Sequence, residues 1–169
     1  MRNLAMSFTF RPMDEAGVHE LTSWTYEPPY DIYNFHRPPN ESDINYFLDP
    51  EYAYHAIIDR TGRISAFCSF GFDAQVAGGN YTSDALDIGL GIRPDLTGQG
   101  RGQTFVSAVL DFATATFSPQ VFRVTIAEFN KRAMKVWQSA GFQAVQRFDR
   151  SGDRMPFVIL TRSMKQESR

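Results

Sequence analysis

A chain of 169 residues, 43% apolar and 21% charged, is long enough for one hydrophobic core and gives no cause to divide it, so a single domain over residues 1–169 is expected. A net charge of −2 without a basic stripe argues against a nucleic-acid partner, and apolar runs far below the ~18 residues of a membrane span argue against a membrane protein. The opening Met1 to Met6 carries no secretory apolar core, which makes the cytoplasm the expected compartment.

In chain order, Ser7 to Arg11 reads as a short edge strand, and after Pro12 the apolar spacing predicts a helix through Glu15, Val18, Leu21 and Thr22. An aromatic, proline-rich connection follows, from Trp24 to Phe35, and then a second short helix over Ser42 to Leu48, stopped at Asp49-Pro50. Tyr52 to Asp59 and Ile64 to Phe72 form a hairpin across Arg60-Thr61-Gly62-Arg63, and Ala85 to Ile92 supplies the next strand. Alternation puts Ile64, Ala66, Cys68 and Phe70 on one face. The lone Cys68 excludes an intrachain disulfide and reads as a small buried hydrophobe. His19, His36 and His55 stand apart without metal-ligand spacing, and no nucleophile elbow is present, so neither a metal nor a covalent nucleophile is expected.

The strand ending at Ile92 meets Arg93-Pro94 and then three alternating glycines, Gly98, Gly100 and Gly102, before a helix with Phe105, Val106, Val109, Leu110 and Ala113 at helical spacing. Backbone N–H groups at such a loop and helix start form an anion cradle. Gly102 is followed by Gln103-Thr104, so the lysine of a nucleotide-triphosphate loop is missing, and the dinucleotide spacing fails at Gln103 and Phe105. Farther on, Phe122 to Ala127 reads as a strand. Asn130 caps a helix with Ala133, Val136, Trp137 and Ala140 on its apolar face, and Gly141 ends it. Gln143 to Phe148 and Phe157 to Thr161 then pair around a loop holding Ser151-Gly152-Asp153.

Together these motifs resemble the GCN5-related N-acetyltransferases (GNAT): Thr97-Gly98-Gln99-Gly100-Arg101-Gly102 is similar to their pyrophosphate loop, and Asn130-Lys131-Arg132-Ala133, Trp137 and Gly141-Phe142 to their second motif. The loop departs from the family at its first position, where Thr97 stands for an arginine or glutamine. The resemblance implies an α/β (α+β) fold: a mixed, mostly antiparallel sheet, helices on both faces, and a splayed strand pair binding acyl-CoA. On that model Leu90 to Ile92 splay from Thr125 to Ala127, and the pantetheine arm pairs with the open edge. Acetyl-CoA would contact Leu90, Gly91, Ile92, Thr97, Gly98, Gln99, Gly100, Arg101, Gly102, Gln103, Asn130, Ala133 and Trp137.

The implied reaction is direct attack of a primary amine on the thioester, with a backbone N–H at Ile92 stabilising the oxyanion. An alkyl amine is mostly protonated at neutral pH, given a pKa of ~10.4, so a base is useful. Asp87, on the strand before the cradle, and Glu128, at the end of the next strand, are the two candidates; either could equally be a surface carboxylate or, for Glu128, a partner of Arg132. Trp137 stands where the family has a tyrosine acid, and an indole cannot release that proton. Trp24, Tyr26, Glu27, Tyr30 and Asp31 are candidate acceptor-site residues, with Tyr26, Tyr30 and Tyr33 equally readable as cover for the sheet. A small-molecule amine is the expected acceptor, a protein N-terminus or lysine the alternative, with room for a homodimer. An acyl-CoA-binding module without fast turnover, and an unrelated nucleotide-binding protein, remain as other classes.

Overall fold

Asp14 accepts a 2.8 Å hydrogen bond from the Gly17 N–H and so starts α1 (Glu15–Thr22), and Asn40 and Asp43 cap α2 (Glu41–Leu48) reciprocally. The computed structural model describes residues 7–35 and 37–164; His36 and the Met1 to Met6 segment lie outside them. The strands are β1 (Thr9–Pro12), β2 (His55–Ile58), β3 (Ile64–Phe70), β4 (Leu86–Ile92), β5 (Val121–Ala127), β6 (Gln143–Asp149) and β7 (Pro156–Ser163). Helix α3 (Gly102–Phe117) lies between β4 and β5, and α4 (Lys131–Ser139) between β5 and β6.

One seven-stranded sheet results, in the order β1-β2-β3-β4-β5-β7-β6, and every neighbouring pair is antiparallel except β4 and β5. It is a mixed, mostly antiparallel sheet with helices on both faces. Against one face pack Phe105, Val106, Val109, Leu110 and Ala113 of α3 and Trp137 of α4, meeting Ala66, Cys68, Phe70, Ile88, Val124 and Leu160. Against the other pack Val18 and Leu21 of α1 and Phe47 of α2, meeting Ala56, Ile64 and Phe67. Ile64, expected on the face of Ala66, Cys68 and Phe70, lies on this side instead, where the β2–β3 register shifts between Ile57 and Ile58. Each fully buried large side chain of this kind contributes roughly 1.5–3 kcal/mol of transfer free energy, so the two layers fix the sheet from both sides. Cys68 is fully buried and its thiol pKa is raised by desolvation, consistent with a packing role.

Several strand ends shift by one to three residues from the expected bounds, and two of the shifts are set by a left-handed residue. Gly71 turns at φ 101, so β3 stops at Phe70 and Phe72 enters a 3-10 turn with 74% of its surface exposed. Ala53 turns at φ 47, so β2 begins at His55 rather than Tyr52. Alternation of apolar residues continues through both positions and does not reveal a left-handed residue within it.

Candidate active site

The parallel pairing of β4 and β5 covers only Leu86↔Phe122 and Asp87↔Arg123, while β4 stays paired to β3 as far as Ile92. The two strands therefore part beyond Asp87. The Arg93 N–H donates to the Ser65 carbonyl and the Gly71 N–H to the Asp87 carbonyl, which sets the phase of the β3–β4 ladder. Antiparallel alternation then turns the N–H and C=O groups of Leu90 and Ile92 away from β3, toward the edge that β5 has left. The Ile92 carbonyl accepts a 2.7 Å bond from the Tyr26 hydroxyl. The Ile92 N–H and both polar groups of Leu90 face the cleft.

At the mouth of the cleft a 3-10 turn at Pro94–Leu96 leads into the glycine loop, held by Thr97 Oγ1 on the Pro94 carbonyl and Gln99 Nε2 on the Asp95 carbonyl. Gly98 and Gly100 adopt φ 70 and φ 72, a left-handed geometry that would strain a side-chain-bearing residue. The N–H groups of Gly100, Arg101, Gly102 and Gln103 find no acceptor among the described residues, and they stand at the start of a sixteen-residue helix. Gln103 Nε2 reaches the Val136 carbonyl, and Gly102 lies against the Val136 side chain, so α3 and α4 meet beside the loop. The Arg132 guanidinium stands 3.3 Å from where a Gly98 Cβ would be and 4.0 Å over the Tyr30 ring. It brings a cation to the loop whose own first position, Thr97, lacks one.

Asn130 caps α4 by accepting from the Ala133 N–H at 3.1 Å, and its amide donates to the Tyr33 hydroxyl at 3.2 Å. Tyr33 belongs to a 3-10 turn at Tyr30–Tyr33, and with Tyr26, Tyr30 and Phe129 it builds an aromatic layer beside the open end of β5. Burial pushes the Tyr26 phenol up to about 12 and raises that of Tyr33, so both stay protonated at neutral pH; Tyr26 donates to the Ile92 carbonyl and Tyr33 accepts from the Asn130 amide. Glu27 and Asp31 are exposed nearby. Trp24 is not at this surface: it is 7% exposed, packed with Phe67 in the α1–α2 core.

The two carboxylates of the sequence reading fall in different settings. Asp87 is 3% exposed and takes both Arg123 nitrogens, at 2.6 and 2.7 Å, and Gln75 at 2.9 Å, across the last pair that joins β4 to β5. It clasps the closed end of the cleft. Glu128 follows β5 at the open end and meets Arg147 at 3.1 Å; that guanidinium holds the Glu128 carboxyl below the usual range, which weakens it as a proton acceptor. Arg132 turns to Tyr30, and Glu128 pairs with Arg147.

Trp137 is 6% exposed and packs edge-on against Phe142, with ring centroids 5.0 Å apart. Trp137→Phe is therefore expected to cost about 1–3 kcal/mol of stability through lost packing, while kcat for acyl transfer stays within about tenfold of wild type. A kcat loss of ~100-fold with cofactor affinity preserved would assign the indole N–H a part in the transition state.

Among the described residues no group of three or more His, Cys, Asp or Glu could hold a metal ion, and no helix is long and apolar enough to cross a membrane. Residues 7–143 match the family model described as an acetyltransferase (GNAT) domain. No protein of curated function matches the sequence significantly. Among solved structures, a spermidine N-acetyltransferase from Vibrio cholerae in complex with CoA and spermine superposes with a TM-score of 0.69 at 14% identity, over 92% of this chain and 95% of that one. A candidate phosphinothricin N-acetyltransferase does so with a TM-score of 0.68 at 18% identity, over 95% and 100%. The yncA protein of Salmonella typhimurium, solved with its cofactor acetyl-CoA, does so with a TM-score of 0.64 at 14% identity, over 96% of each chain. The chain belongs to the GNAT acetyltransferase family and is an acyltransferase of that type.

Proposed function

We propose that this acyltransferase uses acetyl-CoA to acetylate a primary amine, on a small molecule rather than on a protein. The observation that carries the reading is the polar edge of β4, left by β5 and facing the cleft, next to four backbone N–H groups at the start of α3. The residues fit the cofactor on both counts. Gly100 to Gln103 would hold its diphosphate, with Arg132 in place of the side chain missing at Thr97, and the Leu90 and Ile92 edge would align its pantetheine arm as an added strand. When bound, acetyl-CoA supplies a thioester that a neutral amine converts to an amide, releasing the CoA thiol.

The chain's own groups then have few tasks. The Ile92 N–H, fixed in the strand before reaction, is suited to donate to developing negative charge at no reorganisation cost. Tyr26 orients that peptide by holding its carbonyl. Trp137 packs and does not transfer a proton. Glu128 is the carboxylate at the open end, and its pairing with Arg147 leaves it a weak base, so water at the mouth of the cleft would carry much of the proton from the amine. Two relatives named for small amines, spermidine and phosphinothricin, support a small acceptor.

Acetyl-CoA is expected to stabilise the fold and ATP is not, because the cradle has no lysine for a terminal phosphate. At ~100 times its dissociation constant acetyl-CoA adds roughly 2.7 kcal/mol. An ATP shift as large as the acetyl-CoA shift overturns the cofactor reading. Thiol release across a panel of small amines then tests the transfer; binding without release for any amine would leave an acyl-CoA-binding module.

A further inference from the structure

On the sheet face that carries α1 and α2, a half-buried carboxylate stands without a cation. Asp73, in the 3-10 turn Phe72–Ala74 after β3, receives a short hydrogen bond from the Tyr54 hydroxyl, and no cation among the described residues pairs with it. Ser69 is the register partner of Gly89 on β4, and its hydroxyl lies 2.5 Å from where a Gly89 Cβ would be, on this same face. The Tyr54 ring lies 4.8 Å from that of Phe47, 6.2 Å from Phe67 and 6.4 Å from Tyr46. Phe67 in turn covers Gly91, where an added Cβ would fall 2.3 Å from its ring. Asp87, Gly89 and Gly91 point to this face by parity, while Leu90 and Ile92 pack toward α3. The Phe72–Ala74 turn packs on β4, the Ala74 Cβ lying 3.7 Å from where a Gly89 Cβ would be. The Asp73 carboxylate, set among tyrosine and phenylalanine rings beside the strand that borders the cleft, therefore has the chemistry of an alkylammonium site.

We propose that Asp73, held by Tyr54, binds the ammonium of the acceptor, so that the amine reaches the cleft from the α1–α2 side of the sheet, opposite α3. The proposal rests on the acyl-transfer reading, and it names the substrate class as a cationic amine. Burial without a counter-ion raises the Asp73 pKa, a cost that an arriving ammonium would offset. Glu27 and Asp31, exposed at the aromatic layer, have no such enclosure.

Asp73→Asn keeps the acceptor oxygen for Tyr54 and nearly the same shape while removing the charge. With spermine and n-butylamine as probes, KM for the amine is expected to rise roughly 10-fold or more, the weight of a charge-assisted hydrogen bond, with kcat less affected. The acetyl-CoA dissociation constant, measured by calorimetry, is expected to stay unchanged; it reports on the cofactor reading independently of the amine. Tyr54→Phe keeps the carboxylate and is expected to retain amine binding within a few-fold of wild type, with some loss of stability. The same amine KM in wild type and Asp73→Asn overturns the proposal, whatever happens to stability. So does failure of both ammonium probes to shift the melting temperature of the CoA-saturated wild-type protein.

Discussion

Asp87→Asn is expected to destabilise the protein by about 3–5 kcal/mol, the usual effect of breaking one partner of a buried ion pair. The change leaves Arg123, itself 4% exposed, with one amide oxygen in place of a bidentate carboxylate. Arg123 keeps its bond to the Ser83 carbonyl at 2.8 Å and its place 4.9 Å from the Tyr81 ring, but neither carries a negative charge. For a chain of this length the melting temperature should fall by roughly 6–20 °C, with the urea midpoint falling and the m-value unchanged. Because the pair spans the last register partners before β4 and β5 separate, the closed end of the cleft loosens as well, and acetyl-CoA affinity should fall with it. The double substitution Asp87→Leu, Arg123→Met should recover part of the stability, since apolar replacement removes both desolvated charges together. The alternative role makes an opposite pattern. If Asp87 accepts the amine proton, Asp87→Asn folds at nearly the wild-type stability and loses kcat/KM most at low pH, where free amine is scarce.

The difference between these two roles for Asp87 could not be read in the sequence, because its partner is 36 positions away and is reached only through the register Asp87↔Arg123. Parity along β4 puts Asp87 on the face of Gly89 and Gly91, and both readings need that face. Local signals did better. Asn130 as a cap, Pro94 as a strand stop and the helix after Gly102 are each set by a residue acting on its own neighbourhood, and their elements appear where expected, to within a few residues. Arg132 is the intermediate case. Its place on the first turn of α4 is legible, but its position against Gly98 depends on the α3–α4 contact through Gln103 and Val136. Tyr33 reaching Asn130 across 97 residues leaves no local trace at all. A short carboxylate–tyrosine bond such as Asp73–Tyr54 likewise needs Gly71 to end β3, a turn that the apolar run Phe70-Gly71-Phe72 conceals.

Gly100→Asp is expected to lower acetyl-CoA affinity on the order of 100-fold while Gly100→Ala and Gly100→Asn lower it far less. The left-handed φ of 72 penalises any side chain, by roughly 1–2 kcal/mol for an ordinary residue, and Asn and Asp visit that region more readily than Ala. Space is not the obstacle, because no atom lies within 4 Å of an added Cβ. All three variants should therefore fold with similar, modest losses, and the aspartate should be no worse than the alanine. What distinguishes it is one negative charge beside N–H groups that would receive a diphosphate. At a separation near 4 Å and an effective dielectric of 20 the repulsion is about 4 kcal/mol, and at twice that distance about 2 kcal/mol, which spans roughly 30- to 1000-fold in affinity. Added salt should narrow the gap between Asp and Asn, since the loop is at the surface and screening acts there. Calorimetric titration of the three variants at low and high salt reads both effects. Native affinity in a stably folded Gly100→Asp protein would mean that the phosphates bind away from this loop, and the assignment of Gly100 to Gln103 would fall with it.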